Sequence, residues 1–500
     1  MDQPRHSAGK RSEQRGRFWR AQDPEQSRTG LLERDHREAQ VQLDGALTTG
    51  WTRVATHSDG GTASQEFRPA PQGPRVERLL VHGTLDDGEA VTLVGGHTTH
   101  RTSGPFDLLA GGRQLVSARY ALIGAHVPGE QATFVAARLR FAHLDEWANL
   151  RSLSVQDGQA GDVHLLRRPP PPRCARTGEG VEVGLAQSVS WRQEPSARGA
   201  ALELEACVTL ARLPGLTVDE VWARCVRPLS TLLTLAVGRP GPPVAVTLLE
   251  EGQRWHVDLV HLDMGLDDQP TITHEQMLAP YGALVLEHLT SWLDAQSLVG
   301  LVGALTAGVQ DVSGSTLENQ TLQLASACEG LHRRLHDDVA ELDKLTRKSL
   351  RHTAANAVPP EHRQLVLDAL QHVGHTSFRS RLRQLVADVE AQAVAGLTGN
   401  REVWLQGAVA VRNELAHRLP DPDETPESRG DRYYCLRMAM YWLLVARLLL
   451  ASGLDAGVLR DRLSQDRRFR YWRDELASNL WPEVYRPEAQ VDGGDGRVAP

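Results

Sequence analysis

Lysine is almost missing from this chain: it occurs only at Lys10, Lys344 and Lys348, and arginine supplies nearly all of the 55 basic residues. With so much Ala, Gly, Leu and Val, that bias reads as the codon usage of a GC-rich genome, and arginine clusters are discounted accordingly. An excess of positive charge is missing too. The formal net charge of -8 excludes a generic polyanion binder and leaves room only for a local nucleic-acid patch. Cysteine is scarce and scattered. Cys174, Cys207, Cys225, Cys328 and Cys435 form no C-x-x-C pair, which argues against a zinc site or a disulfide framework and for reduced thiols in a cytosol. Histidines such as His97, His100, His256 and His261 are not at metal-ligand spacing, and no phosphate-cradling G-x-x-x-x-G-K-[ST] loop exists, so neither metal nor cofactor is expected. The longest greasy run, Tyr441 to Leu454, is interrupted by Arg447 and too short to span a bilayer. Residues 1–17 are polar and basic without an apolar core, which predicts a disordered leader and not a secretory signal. The expectation is a cytoplasmic protein with no membrane contact.

What is present is enough apolar sequence, 41% of 500 residues, for two to four domains with cores of their own. From Phe18 the pattern is strand-like. Short apolar runs at Val41 to Leu43, Arg78 to Val81, Ala90 to Val94 and Ala132 to Val135 alternate with polar residues, and Asp86-Asp87-Gly88 and Gly95-Gly96 suit hairpin turns. This predicts an antiparallel sandwich or barrel within a β-rich region over 18–300, with an internal boundary near the proline run 168–173. Strands resume at Val181 to Trp191, Ala200 to Leu210, Val244 to Leu249 and Trp255 to Leu262. One helix, Thr217 to Leu235, interrupts them, with Thr217 as its N-cap.

Beyond Tyr281 the apolar period becomes helical. Leu324, Cys328, Leu331, Leu335, Leu342 and Leu345 predict one long helix, and Leu365, Ala369, Leu370 and Val373 the buried face of a second. Phe378, Leu382, Leu385, Val386 and Val389 mark a third. Trp404, Ala408, Val411 and Leu415 mark a fourth, ended by Leu419-Pro420. Asp421 to Asp431 reads as a charged loop, and Tyr433 to Leu450 as a central helix, apolar nearly all round. The fold class is therefore α+β multidomain: a β-rich N-terminal region, an all-α bundle over 310–455, and a helical extension with a disordered tail over 456–500.

Within the fourth helix stands Arg412-Asn413-Glu414-Leu415-Ala416-His417. Arginine and histidine five apart are cheap in this composition. About two such pairs are expected by chance, and Arg138 to His143 and Arg347 to His352 supply them. Position separates the motif from its decoys. Arg138 to His143 lies in a strand-like run, where residues five apart face opposite ways. Arg347 to His352 lacks the asparagine and sits near the end of the first helix. Asn413 and His417 share the helix face opposite the Trp404 to Leu415 stripe. Arg412 stands about 140° from His417 but has a side chain long enough to reach the same phosphate.

Arg412-Asn413-x-x-x-His417 resembles the R-N-x-x-x-H signature of HEPN domains. Three further segments resemble the Apea-type HEPN subfamily: Ala327 to Arg333, Phe378 to Leu385, and Tyr441 to Leu454. Phe18-Trp19, Thr29 to Leu32, Leu122 to His126 and Leu144 to Trp147 resemble the ApeA N-terminal domain. The resemblance implies antiphage defence by abortive infection, in which the helical domain cuts RNA as a homodimer after a phage-derived trigger.

The residue chemistry fits such a reaction. RNA is cut without metal when its 2′-hydroxyl attacks the adjacent phosphorus, and histidine titrates near the pH at which that proton must move. Arginine offers a permanent planar fork to the phosphate. His417 is thus the expected general base or acid, Arg412 the phosphate clamp and Asn413 an orienting group, giving 2′,3′-cyclic phosphate and 5′-hydroxyl ends. Glu329 is a candidate support for Arg412 or His417. Which residues hold the RNA path is not legible; Arg379, Arg381 and Arg383 read as a solvated face. Two bland readings stand beside this one. A histidine at a helix C-terminus is ordinary, and Glu414 with Arg418 makes a simple surface pair. The rival functions are a catalytically silent HEPN module for dimerisation or nucleotide binding, with Arg412 and His417 buried in ion pairs, and a ligand-binding β domain with Trp51 and Trp191 along a groove.

Overall fold

The structure, a computed structural model, describes residues 12–486 apart from 35–38, 48–50, 60–61, 70–77, 102–112, 151, 158–162, 168–172, 194–199, 251–255, 262–263, 266–269, 311–314, 337–341, 372, 375 and 418–423. The chain forms two compact units. The first comprises residues 1–234, 241–274 and 285–293, and the second residues 235–240, 275–284 and 294–500.

Period-2 alternation builds the first unit. Six strands close into an antiparallel barrel: β1 (Ser12–Arg20), β2 (Asp23–Arg34), β3 (Ala39–Leu43), β6 (Leu79–Leu85), β7 (Ala90–Arg101) and β8 (Gln114–Ala118), in ring order β7-β6-β1-β2-β3-β8. The hairpin β4 (Trp51–Asp59) and β5 (Thr62–Pro69) forms a separate two-stranded sheet. Along β6 every second side chain is buried, and Leu79, Val81 and Leu85 join Phe18, Leu32, Val41, Leu43, Leu93 and Val116 in the barrel core. Each fully buried aliphatic side chain contributes about 1.5–3 kcal/mol. Gly83 leaves room for the Phe18 ring, since a Cβ there would stand 2.4 Å from it.

The barrel is one end of a larger sheet. The first half of β7 pairs through Val91–Val94 with β9 (Tyr120–Ile123), and its second half turns to β8. From β9 the sheet runs through β17 (His256–His261), β16 (Pro243–Glu250), β10 (Thr133–Phe141), β15 (Ala200–Thr217) and β14 (Glu182–Gln193) to β13 (Cys174–Arg176). Strands β11 (Leu153–Asp157) and β12 (Val163–Arg167) pair separately.

Two expectations change here. Gly95-Gly96 is no hairpin turn. It lies inside β7 at a register shift, with Gly95 at φ +64°, where the strand passes from β9 to β8. The segment expected as a leader contributes Ser12 to Arg17 to β1, paired with both β2 and β6. Residues 1–11 and the proline run 168–172 lie outside the described residues. The helix after Thr217 forms as expected, with a reciprocal Thr217–Glu220 capping box, and passes through a π turn at Trp222–Val226.

The second unit is helical. Its principal helices are α1 (Leu317–Leu335), α2 (Lys344–Asn356), α3 (Arg363–Ala369), α4 (Phe378–Gln392), α5 (Arg401–His417), α6 (Pro426–Ala451) and α7 (Ala456–Gln465). Helix α6 is long and apolar enough to cross a membrane by length and composition, yet Leu436, Leu443, Leu444 and Leu448 are buried as the bundle's centre. It starts earlier than the apolar run suggests. Thr425 caps it by accepting from the Ser428 amide, with Pro426 in the first turn, so most of the expected charged loop is helix.

The single long first helix is also corrected. α1 ends at Leu335, and α2 restarts at Lys344 with Asp343 accepting from the amides of Leu345 and Thr346. That break turns Leu345 outward. Leu365, expected inside, is exposed on α3, as is Ala369. The other stripes face inward as expected, with Leu382, Leu385, Val386, Val389, Trp404, Ala408 and Val411 buried.

Candidate functional site

Helix α5 carries the motif on its last turn and a half. Burial of Trp404, Leu405, Ala408 and Val411 pins one face. Gln406, Asn413 and His417 are left exposed on the other, as their spacing predicts. His417 ends the helix, and among the described residues its imidazole has no hydrogen-bond or ion-pair partner. Arg412 lies five residues back, about 7.5 Å along the axis.

Three groups hold Arg412. Its Nη1 donates to Asn413 Oδ1 at 3.4 Å, its Nη2 stands 3.8 Å from Glu329 Oε2, and its guanidinium carbon lies 5.9 Å from the centre of the Phe378 ring. Glu329, on α1, also accepts from Arg333 Nη2 at 2.7 Å. The structure therefore brings Glu329 to Arg412, which also reaches Asn413, and among the described residues Glu329 has no contact with His417. At 39% exposure and 3.8 Å, the Arg412–Glu329 pair is a loose, solvent-screened one.

Glu414 does not face outward to Arg418, which lies outside the described residues. It is 9% exposed and points to the start of α6. Tyr433 Oη donates to its Oε1 at 2.6 Å, and Arg432 Nη2 donates to Oε2 at 3.1 Å. Arg432 also bonds Glu424, and Arg429 lies 3.5 Å from both carboxylates. Burial, and then the bond to Glu414, push the Tyr433 hydroxyl well above the usual phenol range, so it remains a donor. This clamp ties the turn between Asn413 and His417 to α6. The sequence reading missed it because Glu414 borders the apolar stripe while its partners lie across a charged segment. Glu414→Ala would leave the Tyr433 hydroxyl without its acceptor and Arg432 with Glu424 alone, and is expected to lower stability by roughly 2–3 kcal/mol. Tyr433→Phe should cost less, about 1 kcal/mol. Urea unfolding of both variants checks this, and an alanine variant as stable as wild type would refute the clamp.

The three arginines expected to be solvated divide. Arg379 and Arg383 both bind Glu402 on α5. Arg381 is buried, donating through Nε to the Thr376 carbonyl and lying 3.5 Å from His332 Nδ1. Burial pushes His332 below the usual histidine range, and its Nε2 pairs with Gln384. These bonds fasten α4 to α1 behind the motif. The side chains of Trp51 and Trp191 lie outside the described residues, so the groove expected of them is not part of this account.

Two family models match the chain. ApeA N-terminal domain 1 matches residues 16–284, and Apea-like HEPN matches residues 322–458. No curated protein and no solved structure matches it.

Proposed function

The chain belongs to the family of ApeA N-terminal domain 1 and carries an Apea-like HEPN domain behind it; on that footing we propose that it is a metal-independent endoribonuclease of antiphage defence. The observation that carries this reading is the exposure of Asn413 and His417 on one face of α5, with Arg412 beside them and half-exposed. His417 takes the 2′ proton as the 2′ oxygen attacks phosphorus, and Arg412 holds the phosphate oxygens as charge builds on them. The 5′ oxygen leaves with a proton, giving a 2′,3′-cyclic phosphate and a 5′-hydroxyl. One imidazole cannot stand on both sides of the phosphorus, so a second His417 from a twofold-related copy donates that last proton, and the active form is a homodimer. RNA is the substrate, a phage-derived signal the trigger, and the β-rich unit the sensor or regulator.

The test is RNA integrity in cells expressing the chain, with and without phage, together with cleavage by purified protein in chelator. Breakdown on infection, with 2′,3′-cyclic ends and undiminished by chelator, is the expected result. Intact RNA in both settings would sink the reading. One observation favours a second reading, a silent dimerisation or nucleotide-binding module: Arg412 already faces Glu329. Neither Arg412 nor His417 is buried, however, as that module would require.

A further inference from the structure

We propose that helix α2 is the surface on which single-stranded RNA docks by its phosphates before it reaches the motif, an inference that rests on the ribonuclease reading. In a chain of net charge -8, α2 carries Lys344, Arg347, Lys348 and Arg351 and no acidic residue. Lys344, Lys348 and His352 recur every fourth residue and are all exposed, a line of about 12 Å along one helix face. Arg347 and Arg351 lie on the half-buried side, where Arg351 Nη2 donates to the Leu367 carbonyl at 3.1 Å.

Many other cations of the unit are already engaged. Arg333, Arg379, Arg383, Arg401, Arg429 and Arg432 are each tied to a carboxylate, and Arg437, Arg460 and Arg462 donate to Gln320 or to backbone carbonyls. Among the described residues, neither Lys344 nor Lys348 has an acidic partner. Asp343, the N-cap, has its oxygens committed to the cap, and Glu341, two residues before it, lies outside the described residues. Unpaired ammonium groups gain most from phosphates, because binding releases the counterions of the RNA and breaks no existing ion pair.

The helix also lies within reach of the motif. Gly374 packs against the Arg347 side chain, so closely that a Cβ would stand 3.1 Å from Arg347 Cγ. Four residues later comes Phe378, whose ring touches Arg412. Four residues span at most about 14 Å, so the backbone beside Arg347 on α2 lies within that distance of Phe378, next to Arg412.

The test uses the full chain carrying His417→Ala, so that bound RNA is not cut, with a fluorescein-labelled oligouridylate as probe. Anisotropy titrations from about 50 to 200 mM salt compare it with the same chain also carrying Lys344→Ala and Lys348→Ala. The lysine pair is expected to account for about tenfold in affinity at the low-salt end, and the slope of log K on log salt should fall by about 1.4, from two lost phosphate contacts. Matching thermal unfolding curves would show that the fold is intact. Equal affinity and equal slope would overturn the proposal. So would a loss seen only with vesicles containing phosphatidylserine, because exposed Leu345 and Leu350 would then mark α2 as a membrane-facing helix. Cleavage by the chain with His417 intact is scored separately. If no RNA is cut but the lysine pair still governs binding, the nuclease reading falls and the docking surface stands. If RNA is cut and the lysine pair changes nothing, the reverse holds.

Discussion

His417→Ala is expected to slow RNA cleavage by at least about 10²-fold, and Arg412→Ala by about 10²–10³-fold, with the fold unchanged. The two losses have different origins. Without His417 no group on this face of α5 accepts the 2′ proton, so the rate falls to what phosphate binding alone supports. Without Arg412 the charge on the phosphorane is unopposed. Arg412→Lys separates charge from geometry: it keeps a cation on the same helix face but loses the planar fork, and should recover only part of the rate. Because both side chains are exposed or half-exposed, none of these variants should shift the unfolding midpoint appreciably. Single-turnover cleavage of a defined RNA, read at saturating enzyme, distinguishes these steps from weakened binding. Wild-type rates in His417→Ala would refute the assignment.

The second large effect concerns stability. Trp404→Ala is expected to cost the helical unit about 3–5 kcal/mol. Trp404 is 0% exposed and lies on the face of α5 opposite Asn413 and His417. Truncation would open a ring-sized cavity under the helix that carries the motif, and a bundle cannot close over it without moving that helix. Gln406→Ala, two positions along on the exposed face, should change stability by less than about 0.5 kcal/mol. Denaturant unfolding followed by helical circular dichroism measures both, and a tryptophan variant within 1 kcal/mol of wild type, by the scale of core truncations, would contradict this packing. Lost cleavage in Trp404→Ala would reflect displacement of Arg412 and His417, because Trp404 touches no reacting group in the proposed mechanism.

Local periodicity made a good part of this protein legible. Alternation placed β3, β6, β7, β10, β14, β15 and β16, and helical spacing placed α4, α5 and the centre of α6, because each pattern answers to one buried face. The same spacing set Asn413 and His417 opposite Trp404 without any tertiary information. Where a local signal had two uses, it misled. Two adjacent glycines suit a turn, and they equally suit the shift in β7 that lets one strand serve both β9 and β8. Leucines at heptad-like spacing run on through Leu342 and Leu345, but an aspartate cap restarts the helix at Lys344 and turns the next leucine to solvent.

By itself, then, the order of residues determined the division into a β-rich and a helical region, the position of most of the elements named above with their apolar sides, and which face of α5 holds Asn413 and His417, since these depend on neighbours within a few positions. Tertiary structure alone decided that β7, β3 and β8 close a barrel and that Glu329 meets Arg412 from 83 residues away. It also decided that Glu414 turns inward to Tyr433 while two lysines on α2 have no acidic partner among the described residues. The reason is physical. A charge or a strand edge is satisfied by whichever partner packing brings near, and that partner's identity is written in no local period.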